Sequence, residues 1–305
     1  MYKNFSASGL GITGRQSELI ELALTYAFRG MDVDMTDMLK RSQRTSFEDA
    51  SKYLRAAEIK IGPFNCGVNL DADDEMFANQ LAQVHPLSDF AAQLKADVAT
   101  ITLPSATDRL PFPEYFETIS QRVKQVAEVL GNRQIRLGVT FGSGAERQEN
   151  KKFPFVNNVE SFLALVKDVA SDGIGCVVDT WNWQVGGGNY DQIASLPIER
   201  IVAVRVGDLA EGATAADAKS ADRVLPTTDG PINHVALAKY LADGGYQGSI
   251  SPTASAAQYK GKTRETIVNN AQEAIDAILT EAGLPVPPRP MDMISSIPYE
   301  PTAMN

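Results

Sequence analysis

Residues 174–188 read IGCVVDTWNWQVGGG. Four apolar residues (Ile174, Cys176, Val177, Val178) end abruptly in Asp179, two tryptophans follow, and three glycines close the stretch. A short apolar run bounded by turn residues is how a strand of a fully buried parallel sheet reads. In a closed parallel barrel the residues just past each strand's carboxyl end form the working face. Asp179 and Asn182 then belong to a barrel mouth, with Trp181 or Trp183 as a wall for a ring-shaped ligand. The plainer alternative is a pair of core tryptophans behind an aspartate that caps a helix.

Working outward, strand and helix patterns alternate along the whole chain. Strands are expected at Phe5–Ser8, Met31–Met35, Ile59–Phe64, Val98–Leu103, Ile135–Phe141, Ile174–Asp179, Ile201–Val206 and Gly248–Thr253. Helical spacing falls between them: Glu18–Phe28, Ser46–Ala57, Asp73–Lys95 with a break near His85-Pro86, a long helix from Pro113, Val159–Ala170, Tyr190–Ser195, Val235–Leu241 and Arg264–Ala282. Ser46 before Phe47-Glu48-Asp49 is a helix start with acidic residues where the helix dipole favours them. Residues 210–221 read as a flexible Ala/Asp/Glu-rich excursion. Eight strand-then-helix units with short links predict an α/β fold, a single (β/α)8 TIM barrel over residues 1–283. Residues 284–305 differ, with six prolines from Pro285 onward. Such a segment is neither helix nor central strand. It reads as an arm docked on the barrel or a neighbouring subunit, or as a disordered terminus.

The 305 residues are 44% hydrophobic, enough for a sizeable core. A net charge of −10 argues against nucleic acid or an anionic membrane as partner. No signal-peptide pattern opens the chain, and no apolar run approaches the roughly 18 residues of a membrane span. Cys66 and Cys176 fall in strand regions and read as buried reduced thiols. A soluble, cytoplasmic protein with a small-molecule ligand is expected, with a homo-oligomer left open.

Several strand ends together resemble the xylose isomerase-like barrels, which include sugar isomerases and epimerases. The similarity lies in IGCVVDTWNW, ERIVAVRVGDL and RVLPTTDGPINHVALAKYLADGGYQGSISPT. The resemblance implies a sugar substrate and a divalent metal held by Glu, Asp, His and Glu from strands five to eight. Such a metal polarises a sugar carbonyl or hydroxyl, while the two glutamates move a proton on the neighbouring carbon. Matched position by position, the first Glu falls on Thr140, the Asp on Asp179, the His on Arg205 and the last Glu on Thr253. The family's substrate-touching His falls on Asn182. Asp208 and Arg223 match retained positions, the latter a basic substrate contact.

One carboxylate among four ligands does not hold such a metal, and an arginine repels one. The expectation is therefore no metal and no other cofactor, with Arg205 standing where the cation would be, paired with Asp179 and Asp208. Asp179, Arg205 and Asp208 are the catalytic candidates. Thr140, Trp181, Asn182, Arg223 and Thr253 are candidate contacts to a sugar or polyol. Asp34, near the end of strand two, is a spare carboxylate. A catalytically inactive carbohydrate binder or scaffold of the same descent is the alternative. Arg205 shares its phase with Ala203 and Ile201, so a register error of one residue would turn it out of the barrel.

Overall fold

The apolar run at Ile174 forms β6 (Ile174–Asp179), every residue of it buried, in a computed structural model that describes residues 1–290. The other barrel strands are β1 (Tyr2–Phe5), β2 (Gly30–Met31), β3 in two segments (Lys60–Ile61 and Phe64–Asn65), β4 (Val98–Thr102), β5 (Arg136–Thr140), β7 (Ile201–Val206) and β8 (Ser249–Pro252). All neighbouring pairs are parallel. The hydrogen-bonded order starts at the first β3 segment, runs through β2, β1, β8, β7, β6, β5 and β4, and ends on the second. Only Gly62 and Pro63 separate those two segments, so the sheet closes on itself. Pro63 has no N–H to give a ladder, which is why β3 is interrupted.

Three of the expected elements need correcting. β1 lies earlier than Phe5–Ser8, and β2 ends at Met31 because Met35–Arg44 is an unforeseen helix. Asp34 caps that helix, its side chain accepting from the Asp37 N–H at 2.9 Å. The helix Asp74–Gln93 runs unbroken through Pro86. Phe77 and Val84 before the proline and Leu87, Phe90 and Ala91 after it bury into one core. That shared burial outweighs the one lost hydrogen bond. Residues 210–221 are spanned by a small hairpin in which Asp208–Leu209 pairs antiparallel with Arg223–Val224.

Most of the core lies between the barrel and its helices, including Val178 and Val204. Inside the barrel, Val177, Val202 and Ala203 form a separate apolar plug with Val98. Alternation then turns Asp179 and Arg205, two positions further along β6 and β7, into a polar layer above the plug. Arg205 lies in register with Asp179 on one side and Ser251 on the other. Of the arm, Leu284 and Val286 pack against the core, and Arg289 Nη1 donates to Asn269 Oδ1 at 2.9 Å. Its apolar residues Met291, Met293, Ile294, Ile297 and Tyr299 lie outside the described residues. Among the described residues no helix is long and apolar enough to cross a membrane.

Candidate functional site

A cavity of about 960 Å³ opens at the carboxyl ends of the strands. Its size suits a small-molecule ligand. Three arginines (Arg147, Arg205, Arg223) and three aspartates (Asp32, Asp34, Asp179) line it, together with Thr140, Asn182 and Thr253.

Asp179 does two jobs. As the last residue of β6 it caps the helix Thr180–Val185, its Oδ1 accepting from the Asn182 N–H at 3.1 Å. Its Oδ2 accepts from Arg223 Nη1 at 2.9 Å, and the same nitrogen donates to Thr253 Oγ1 at 3.1 Å. The hairpin Asp208–Leu209/Arg223–Val224 brings Arg223 back over the mouth, where its guanidinium lies 4.9 Å from the Trp181 ring centre. Such stacking of a cation on an indole face is favourable. Asn182 is fixed through Ser143, whose hydroxyl donates to the Asn182 carbonyl at 2.9 Å. Thr140 Oγ1 is buried in the cavity wall with no hydrogen-bond partner.

The expected pairing of Arg205 with Asp179 and Asp208 is corrected: Arg223 takes Asp179. Arg205 does face the cavity, half-buried, yet no described residue gives it a hydrogen bond or an ion pair. Asp208 is not in the cavity wall. Its Oδ2 accepts from the Thr227 N–H at 2.8 Å and hydroxyl at 3.0 Å, and its Oδ1 lies 3.7 Å from His234 Nε2. His234 in turn bonds Thr180 Oγ1 and the Thr227 carbonyl, each at 3.0 Å. Asp208 thus ties a loop to the helix His234–Asp243 rather than meeting a ligand. Trp181 and Trp183 are both buried, and neither lines the cavity. They are core residues, as the plainer alternative had it, with Trp181 serving as the platform for Arg223.

Asp32 is a cavity residue that sequence reasoning passed over in favour of Asp34. Its Oδ1 accepts from Asn4 Nδ2 at 2.7 Å, and Asn4 Nδ2 also donates to Ser251 Oγ at 3.0 Å. Burial pushes the Asp32 carboxyl above its usual range, opposed by the Arg205 charge and by hydrogen bonds from Ser6 and Asn4. The signal was in the spacing: Asp32 and Asp34 sit two apart, on one side of an extended chain. Arg147, in the turn Ala145–Arg147 after β5, was also missed, because a loop arginine carries no pattern.

By sequence, the chain matches the model of the family described as xylose isomerase-like TIM barrel over residues 20–281. No curated protein matches. Among solved structures, a xylose isomerase domain protein from Alicyclobacillus acidocaldarius superposes with a TM-score of 0.81 at 21% identity, covering 93% of this chain and 99% of that one. An IOLI protein described with a binding zinc atom gives 0.74 at 15% identity, covering 93% and 98%. A D-psicose 3-epimerase determined in the presence of D-fructose gives 0.67 at 12% identity, covering 93% and 100%. At such identities these likenesses speak for the fold alone. The family match spans most of the barrel, its strands close in the expected order, and the polar cavity lies at their carboxyl ends: the chain belongs to the xylose isomerase-like TIM barrel family.

Proposed function

We propose that this chain binds a small sugar or polyol at the barrel mouth and does so without the divalent metal implied by its resemblance to sugar isomerases and epimerases. The carrying observation is the state of Asp179. Of the four positions matched to that metal's ligands it is the one carboxylate, and its Oδ2 already accepts from Arg223. Thr140, Arg205 and Thr253 occupy the other three. Among the described residues no three His, Cys, Asp or Glu side chains gather closely enough to hold an ion. Hard divalent cations take several oxygen ligands, and a guanidinium in their midst opposes them. The donor set does not fit, and no step is routed through a metal.

In this reading Arg205 supplies fixed positive charge to an oxygen of the ligand, and the hydroxyls of Thr140 and Thr253 and the amide of Asn182 contact its hydroxyls. Asp32, unlike Asp208, faces the cavity and is the group that could exchange a proton with a bound ketose. Loss of both glutamates favours a second reading, a binder without turnover, since proton transfer on two faces of a sugar needs two available carboxylates. Deuterium incorporation from solvent into a bound ketose separates the two readings.

Thermal melting of the purified chain with monosaccharides and polyols tests the proposal. A ligand that binds only the native state raises the midpoint with concentration. Elemental analysis is expected to find no stoichiometric metal. One tightly held Mn, Co, Zn or Mg per chain, or flat melting curves across the whole panel, would sink it.

A further inference from the structure

Resting on the sugar-site reading, we infer that the ligand is a sugar acid, a polyhydroxylated carboxylate whose carboxylate binds the guanidinium of Arg205. The inference follows from which charges in the cavity are already used. Asp179 and Arg223 neutralise each other in a closed pair. Asp34 is exposed and its carboxylate caps the helix Met35–Arg44. Arg147 is exposed at the rim, where water and salt screen it.

Arg205 is left, on β7 and turned to the barrel axis, half-buried and with no bonding partner among the described residues. Asp32 faces it without closing an ion pair, held instead by Asn4. A guanidinium in a partly water-excluded site, without a hydrogen-bonded counter-charge, is set for a planar anion that takes two parallel N–H donors.

The second observation is independent of charge. Thr140 Oγ1 is buried in the same wall and has no hydrogen-bond partner. A buried hydroxyl left without a partner is costly, so a ligand hydroxyl is its natural complement. Asp32 offers a further acceptor across the cavity. One carboxylate for Arg205, with hydroxyls on adjacent carbons for Thr140 and Asp32, describes an aldonic or uronic acid. A phosphate ester carries more charge than the half-buried Arg205 guanidinium balances by itself.

Isothermal titration of the full chain with D-gluconate and D-galacturonate, against D-sorbitol, D-galactose and glucose 6-phosphate, tests this. The acids are expected to bind at least tenfold more tightly than their neutral counterparts. Arg205→Gln should weaken the acids about 10- to 100-fold, the range for a hydrogen bond to a charged group, and weaken the neutral sugars by a clearly smaller factor, so that the preference for acids is lost. Arg205→Lys keeps the charge and should retain part of the preference for acids. If Arg205→Gln fails to fold, as its melting curve will report, the Lys variant and the ligand panel still decide. Neutral sugars binding as tightly as the acids would overturn the inference and leave the sugar site standing. Tighter binding of the phosphate ester would overturn the carboxylate assignment alone. No binding by any compound would overturn both readings.

Discussion

Asp179 is 3% exposed, so its charge is tolerable because Arg223 is there. Removing one partner of a buried pair leaves the other charge unmatched. Arg223→Ala is expected to cost about 3 kcal/mol of stability, the low end of that range, because Asp179 still accepts from the Asn182 N–H. Urea denaturation checks it, and adding Asp179→Asn to Arg223→Ala should recover part of the loss. Asp32 works the other way. Burial raises its carboxyl from the ordinary 3.8, so the folded state holds that proton more tightly than the unfolded chain. Its contribution to stability is complete below the unfolded value and is lost as pH rises through the folded one. Asp32→Asn should therefore be more stable than the parent at pH 7, with the gap closing below about pH 4. Equal melting temperatures across the pH range would mean that Asp32 is not held in the cavity as described.

The elements most sensitive to change are those that bring backbone close to the site. At Gly62, between the two β3 segments, an added Cβ would overlap Asn4 Oδ1 and lie 2.6 Å from Asp32 Oδ1. Gly62→Ala should destabilise the barrel by about 1–3 kcal/mol, as overpacking does, and weaken ligand binding by displacing Asp32. Gly67→Ala offers a contrast: an added Cβ there meets nothing nearer than 3.9 Å, so its cost comes from a positive φ of 74° alone. The helix Asp74–Gln93 shows the opposite balance. Pro86 stands inside it although a proline there removes a hydrogen bond and crowds the preceding turn. Pro86→Ala is expected to raise the melting temperature, and a fall would show that the proline itself packs productively.

At the scale of the molecule, the barrel and its helices share one continuous core, with a small apolar plug beneath the cavity. Both cysteines are buried, Cys176 within β6 and Cys66 just past the end of β3. Burial pushes the Cys66 thiol up to about 11 and the Cys176 thiol up to about 12. Because the thiolate is the reactive form, neither should react with a thiol reagent at pH 8 in the folded protein, and both should react in denaturant. A fast-reacting native thiol would indicate that strand β6 or the loop after β3 opens readily.

The sequence by itself determined the order of elements and the closed barrel. Its repeating apolar strands, amphipathic helices and turn residues are local patterns that each strand and helix must satisfy wherever it packs. Resemblance to the xylose isomerase-like barrels pointed to Thr140, Asp179, Arg205 and Thr253 as strand-end positions, and in the structure all four line one cavity. Tertiary structure alone decided which arginine pairs with Asp179, since Arg223 reaches it from a hairpin whose path no periodicity records. It moved Asp208 out of the cavity and Asp32 in, and made Trp181 a platform instead of a ligand wall. Those choices depend on where loops carry charges through space, and a charge finds its partner by distance in the fold, not by distance along the chain.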